Sequence, residues 1–128
     1  MLLGAITARF AHGLLIIAAP ESSDPHDDWD PVSEPFHAGL DSVYVGVLSA
    51  PSGLVSVEFF DGEEYPQDLA LIYSGEMHLK DLKFLAFDPN ETVLLTVLTD
   101  SSRVRISLFG DEPEDPSKVQ VFVNSIAA

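Results

Sequence analysis

The side chains that could support catalysis are scattered singly along this sequence. No serine lies in a G-x-S-x-G turn that would present a nucleophile beside a base. The sequence also lacks a phosphate-binding loop, a dinucleotide-binding fingerprint and an H-E-x-x-H zinc motif. An isolated histidine is most often a hydrogen-bonded structural residue, so we expect no enzyme activity and no cofactor. The four histidines are His12, His26, His37 and His78.

Acidic side chains are the most abundant charged groups, and they are clustered. The chain has 21 Asp and Glu against 6 Lys and Arg, which gives a net charge of −15. Six acids lie in 21–34, five in 58–68 and four in 111–115. Repulsion within clusters opposes folding, so this placement favours a functional face, with simple solubility as the alternative. Such a surface repels phosphates and anionic lipids, which excludes nucleic acid and membranes as partners and predicts a basic protein instead.

Two acidic loops raise calcium binding as the main alternative. Asp28-Trp29-Asp30 and residues 111–115 could bring four or more carboxylates to one end of a sandwich, and Ca²⁺ prefers such oxygen ligands. A C2-like sandwich that docks on membranes or partners would use them in this way. Asp-x-Asp pairs do not occur in both of these facing loops, as a specific calcium site would require, so our leading interpretation assigns no metal. A carbohydrate-binding sandwich that uses Trp29 is a third class, supported by fold type alone.

Period-two patterns predict the elements that position these loops. Valines alternate with other residues over 42–49, and a similar pattern covers 54–60. It continues over 69–79, 83–87, 92–99, 103–109 and 118–126, whereas no stretch of ten residues shows a helical stripe. The sequence therefore predicts an all-β fold, an antiparallel β-sandwich of eight or nine strands.

Turn residues predict how some strands pair. Ala50-Pro-Ser-Gly53 predicts a hairpin between the strands on either side of it, and Ala11-His-Gly13 predicts a first hairpin. Asp88-Pro-Asn90 and Asp100-Ser-Ser102 are expected to join neighbouring strands.

Chain length and composition predict one domain over residues 1–128, burying roughly two-thirds of its unfolded surface. The absence of cysteine excludes disulfides and is compatible with a cytoplasmic location. The apolar stretch 1–19 superficially resembles a secretory signal, but His12 and Gly13 interrupt it. We therefore expect a cytoplasmic protein that retains this segment, which is too short to span a bilayer.

Residues 20–41 form the one long segment without strand patterning, a Pro-rich acidic loop that holds the only tryptophan. Loops of about 20 residues are uncommon in compact domains unless they are functional or held by their own side chains. We expect Trp29 and Phe36 to pin this loop onto the sandwich. Alternatively, Trp29 is an exposed anchor for a partner.

The same region carries a family resemblance. The Asp28-Trp-Asp30 loop, followed by Pro-Phe-His-Ala-Gly-Leu-Asp-Ser-Val-Tyr-Val-Gly (35–46), is similar to the competence-J type of DNA-entry nuclease inhibitors and related bacterial immunity proteins. The later strands have similar lengths and spacing. The resemblance implies a small cytosolic β-sandwich that binds and blocks a nuclease. The connector of that family is helix-like, whereas Pro31 and Pro35 predict that no long helix forms here.

These observations together predict a non-catalytic inhibitor or immunity protein that neutralises a basic nuclease or toxin. Its partner would meet an acidic face. The predicted contact residues are one tryptophan and eight acids: Asp27, Asp28, Trp29, Asp30, Glu63, Glu64, Asp111, Glu112 and Glu114.

Overall fold

The computed structural model describes residues 1–31 and 33–126, and its regular secondary structure is almost entirely β-strand. This confirms the predicted β-sandwich, with ten strands in the described ranges instead of eight or nine. Two short 3-10 turns, Ala11–Gly13 and Ala50–Ser52, lie between strands. The strands are β1 (Leu2–Ala8), β2 (Leu14–Ala18), β3 (Phe36–Ala38), β4 (Ser42–Gly46), β5 (Val55–Asp61), β6 (Ala70–His78), β7 (Lys83–Phe87), β8 (Leu94–Leu98), β9 (Arg103–Gly110) and β10 (Lys118–Ser125).

The strands form two five-stranded sheets that enclose the core. Sheet A has the order β1-β5-β10-β9-β6, and sheet B has the order β3-β4-β2-β7-β8. Every strand pair is antiparallel except β5 and β10, which run parallel from Ser56 opposite Lys118 to Asp61 opposite Val123. Side chains from both sheets belong to one hydrophobic cluster, so the inner faces of the sheets pack on each other.

Sequence alternation correctly identified which strand faces are buried. Val43 and Val45 of β4 are fully buried, as are the alternating positions 55, 57 and 59 of β5. In β9, Val104 and its alternate neighbours belong to the core, while the two arginines share the opposite face and pair with Glu76. The period-two hydrophobic pattern therefore predicted which side chains of these strands face the core, as expected for strands with one face against it.

Three predicted strand connections are wrong, and the errors share one cause. The strands flanking Ala11–Gly13 lie in different sheets, and so do those flanking Ala50–Ser52 and residues 99–102. A short turn can join two strands within one sheet or pass from one sheet to the other, so turn chemistry alone does not decide between them. The turn at residues 88–93 does join paired neighbours, β7 and β8.

Both long connections cross the outer face of a sheet. Ala18 ends β2 at the opposite end of sheet B from Phe36, where β3 begins. Likewise, Asp61 ends β5 at the opposite end of sheet A from Ala70. The predicted loop at 20–41 is therefore corrected in its last part, because the three residues of β3 pair with β4. So short a strand shows no visible alternation.

The described part of that loop contains no helix, in agreement with the expectation from its prolines. Nowhere in residues 1–31 and 33–126 is there a helix with the length and hydropathy needed to cross a membrane.

Candidate functional site

One end of the sandwich brings together the first and third acidic clusters. Backbone hydrogen bonds fix the relevant loops there: Gly46 N–H donates to Pro35 O at 3.0 Å, and Leu48 N–H donates to Pro116 O at 3.0 Å. The segments before β3 and before β10 are therefore both attached to the end of β4. This attachment places the described part of the loop at 27–35 (27–31 and 33–35) beside the loop at 111–117.

Two adjoining pockets form a groove between these loops. The first, of about 410 Å³, is lined by Trp29 and by residues of the segment 46–52. The second, of about 330 Å³, includes Glu34 and Glu114 in its lining. We call their combined surface the acidic groove, formed by Trp29, Pro31, Glu34, Gly46, Glu114 and Asp115.

Trp29 is half-buried and firmly held. Its Nε1–H donates to Glu34 O at 3.0 Å, and its ring meets Tyr44 edge-on with the ring centres 6.2 Å apart. The polar edge of the indole is therefore satisfied within the loop, while the ring lines the groove. This geometry agrees with the expected pinning role and leaves the interface role as a prediction. Phe36 packs with its ring 5.0 Å from that of Tyr73 and holds the far end of the loop.

His26 also anchors the loop, although nothing in the sequence distinguished it from the other histidines. Its ring stacks on Tyr44 with the centres 3.7 Å apart and an angle of 16° between the planes. Its Nε2 lies 2.8 Å from Ser42 Oγ, and its Nδ1 lies 2.8 Å from His37 Nδ1. Sequence reasoning treated the histidines as isolated, but the fold brings two of them together. The available signal in the sequence was Tyr44, a large aromatic side chain at an outward-facing position of β4.

Carboxylates complete this polar network on the outer face of sheet B. Ser42 Oγ donates to Asp24 Oδ2 at 2.7 Å, and His37 Nε2 lies 3.1 Å from Asp28 Oδ1. The Ser42 side chain is only 2% exposed, so its hydroxyl is not accessible as a nucleophile. The network therefore positions the loop on the outer face of sheet B.

The protonation equilibria of the network reflect its burial. Burial and the neighbouring His37 lower the pKa of His26, against the opposing effect of nearby carboxylates. Burial also opposes ionisation of Asp24, but hydrogen bonds from the Asp41 N–H and from Ser42 lower its pKa overall. Burial, together with the adjacent Asp24, raises the pKa of Asp41. The two carboxyls therefore differ in their readiness to carry charge.

The predicted contact residues fall in two separate places. Those at 27–30 and 111–114 lie in the loops beside the groove, whereas Glu63 and Glu64 line a pocket of about 450 Å³ with Phe60 and Phe122 on the outer face of sheet A. The structure thus brings together two of the three clusters and separates the third. The predicted residues near the groove are Asp27, Asp28, Trp29, Asp30, Asp111, Glu112 and Glu114.

Some of these acids serve the fold itself. Asp111 accepts hydrogen bonds from the Ser117 N–H and hydroxyl and from the Lys118 N–H, at 2.9 to 3.1 Å. Burial opposes ionisation of Asp111, but these bonds lower its pKa overall. Sequence reasoning instead missed Glu34 and Asp115, which both line the groove. Their membership of the same acidic clusters was the available signal.

The groove also contains strained backbone. His12 (φ 59°) and Asp115 (φ 51°) are non-glycine residues in the left-handed region, and both line the pocket beside Trp29. Such conformations cost about 1–3 kcal/mol each and concentrate at functional sites. Leu82 and Glu91 adopt the same conformation in turns outside the groove, so this strain does not by itself mark the groove as a site.

The described geometry gives no support to the calcium alternative. Across residues 1–31 and 33–126, no three His, Asp or Glu side chains converge to hold a metal ion. The two acidic loops approach each other, but no three of their described carboxylates converge on one point.

Comparison with solved structures shows a similar fold in two proteins. One is the crystal structure of ComJ, an inhibitor of the DNA-degrading activity of NucA from Bacillus subtilis, with a TM-score of 0.73, 9% identity and 98% of both chains covered. The other, described as crocagin biosynthetic gene J, has a TM-score of 0.57 and 11% identity over 97% of this chain and 96% of that one. No protein-family model matches the sequence, and no curated protein does either. The resemblance to the competence-J type is thereby confirmed at the level of the fold.

Proposed function

We propose that this protein is a non-catalytic inhibitor that binds a basic nuclease through the acidic groove and blocks it. The same chemistry suits an immunity protein that neutralises a nuclease toxin. The observation that carries the proposal is the groove itself, on a fold shared over 98% of its length with an inhibitor of a DNA-degrading nuclease. A nuclease must hold a polyanion, so its binding face is basic and complements this groove.

The charge distribution supports a cationic partner. Glu34, Glu114 and Asp115 line the groove, and no Lys or Arg is found among its described lining residues. The net charge of −15 adds a long-range field of the same sign. Such a field speeds encounter with a basic protein and disfavours acidic ones. We further propose a cytoplasmic location, as expected from the cysteine-free sequence.

The test measures DNA cleavage by a panel of nucleases, including NucA, while the protein is titrated in. We expect near-stoichiometric inhibition of at least one nuclease, with association slowed by added salt. A triple reversal in the groove, Glu34→Lys with Glu114→Lys and Asp115→Lys, should weaken inhibition by about 100-fold.

The matched control carries the same charge change on the outer face of sheet A: Glu63→Lys with Glu64→Lys and Asp68→Lys. We expect this variant to inhibit nearly as well as the parent. If both variants lost inhibition equally, the effect would come from net charge alone. If both kept full inhibition, the groove would not be part of the interface. If no nuclease in the panel is inhibited, the inhibitor function itself is wrong.

A further inference from the structure

We propose that the pocket between Trp29 and Asp115 is a guanidinium site, which takes an arginine side chain of the bound partner. The inference rests on the proposed function, because a basic partner would supply this side chain. It goes further by naming the group that the pocket recognises. The pocket of about 410 Å³ has room for the head of one such side chain.

Trp29 supplies a preorganised aromatic wall. Its Nε1–H is already bonded to Glu34 O, and its contact with Tyr44 fixes the ring orientation. A cation over an indole face is attracted by the ring quadrupole, and tryptophan is the best aromatic for this contact. Arginine also stacks through its flat guanidinium, which a lysine ammonium cannot do.

Asp115 supplies the negative charge. Its carboxylate has no hydrogen bond or ion pair in the described part of the chain, whereas Asp111 of the same loop is fully engaged by Ser117 and Lys118. The loop is thus closed by one aspartate, while the other lines the pocket with a free carboxylate. A carboxylate can receive a guanidinium through two parallel hydrogen bonds.

The remaining lining favours a flat cation over other ligands. Gly46 contributes no side chain to the groove. A Cβ at this position would lie 3.7 Å from Asp115 Oδ1 and 3.8 Å from Pro35 O, so the glycine leaves space beside the Asp115 carboxylate. Ser49 and Ser52 add hydroxyls that bond to each other at 2.8 Å. With no Lys or Arg among the described lining residues, an anionic ligand would have no strong partner.

The experiment uses the protein's only tryptophan as a reporter. Nα-acetyl-arginine amide is titrated into the full chain while the Trp29 indole N–H and the Gly46 amide are followed by NMR. We expect saturable shifts of both signals with a dissociation constant on the order of millimolar. Nα-acetyl-citrulline amide has the same shape without charge, and we expect it to bind at least about tenfold more weakly.

Two variants separate charge from shape. Asp115→Asn should weaken arginine-amide binding about tenfold by removing the charge, and Gly46→Val should weaken it similarly by filling the groove. Asp81→Asn, an exposed acid at the opposite end of the sandwich, makes the same charge change and should leave binding unaltered. Equal binding of citrulline, unaltered binding by Asp115→Asn, or no shift at about 100 mM ligand would overturn the proposal.

Failure here is distinguishable from failure of the inhibitor function. If the triple groove variant loses nuclease inhibition while the pocket ignores arginine, the inhibitor function stands and the guanidinium site is wrong. If the pocket binds arginine but no nuclease is inhibited, the site stands and the inhibitor function is wrong.

Discussion

Asp88 shows how one buried carboxylate can organise an end of the sandwich. It is fully buried and accepts hydrogen bonds from the Thr92 N–H and hydroxyl, the Val93 N–H and the Ala11 N–H, at 2.8 to 3.2 Å. Burial opposes its ionisation, but these bonds lower its pKa overall. It therefore ties the β7–β8 turn to the Ala11–Gly13 turn, which borders the acidic groove.

Replacing Asp88 by Asn should destabilise the fold by about 2–3 kcal/mol, because the amide places an N–H₂ group among four donors. Urea unfolding measures this, with Asp81→Asn as a control expected to stay within about 0.5 kcal/mol of the parent. The folded-state pKa is lowered, so the stabilisation is present above the ordinary Asp value of 3.8 and is lost as pH falls through the folded value. If the difference in unfolding free energy between parent and variant did not become smaller at low pH, this explanation would be wrong.

The two connections that cross the sheets are the elements least visible in the sequence. His26 anchors one to Tyr44, and Tyr65 anchors the other with its ring 5.3 Å from Phe109 and 5.1 Å from Phe122. The period-two pattern predicted which strand side chains point away from the core. It did not predict which segments cover those side chains, because such contacts join residues far apart in sequence. The hairpin predictions were wrong for the same reason. The alternation of residue types shows which face of a strand is buried, whereas the neighbouring strands depend on long-range pairing.

The loop over sheet B should loosen as the pH falls. The pKa of His26 is lowered from 6.5, so its contribution to folding is full above pH 6.5 and is lost as pH drops through the folded value. A hydrogen bond between the two facing Nδ1 atoms needs one of them to accept, so a proton on the accepting nitrogen would break this contact. The groups that face His26 are His37, Ser42, Tyr44, Asp24 and Asp28.

Amide hydrogen exchange of residues 20–31 between pH 7.5 and 5 would measure this loosening. His26→Phe keeps a flat ring on Tyr44 but takes no proton, so we expect a lower stability by about 1 kcal/mol and little remaining change in this range. A variant that kept the full pH response of the parent would assign the effect to another group.

At the scale of the whole molecule, repulsion between clustered acidic side chains destabilises the folded state. Fifteen of the 21 acids lie in three segments, and two of these segments meet at one end. The acidic clusters and the family resemblance were visible in the sequence. Which two clusters lie together, and which one lies apart, depends on the order of strands in the sheets. That order is set by contacts that no local pattern encodes.

Screening should therefore stabilise the protein. We expect the thermal midpoint to rise by a few degrees between low salt and about 0.3 M NaCl, because screening weakens repulsion across the groove. The triple variant with lysines at 34, 114 and 115 carries less negative charge and should show a smaller rise. A midpoint that fell with NaCl, or an equal rise in both proteins, would contradict this explanation.

The central position of β10 in sheet A has a consequence for biosynthesis. β5 pairs with β1 and β9 pairs with β6, but the second neighbour of both strands is β10, which is missing until residue 125 has been translated and has left the ribosome. Until then the nascent chain carries two strands with unpaired backbone edges, the state in which β-proteins aggregate or are held by chaperones. The two halves of sheet A, β1–β5 and β6–β9, are therefore joined only after translation of the last strand, however early the first strands emerge.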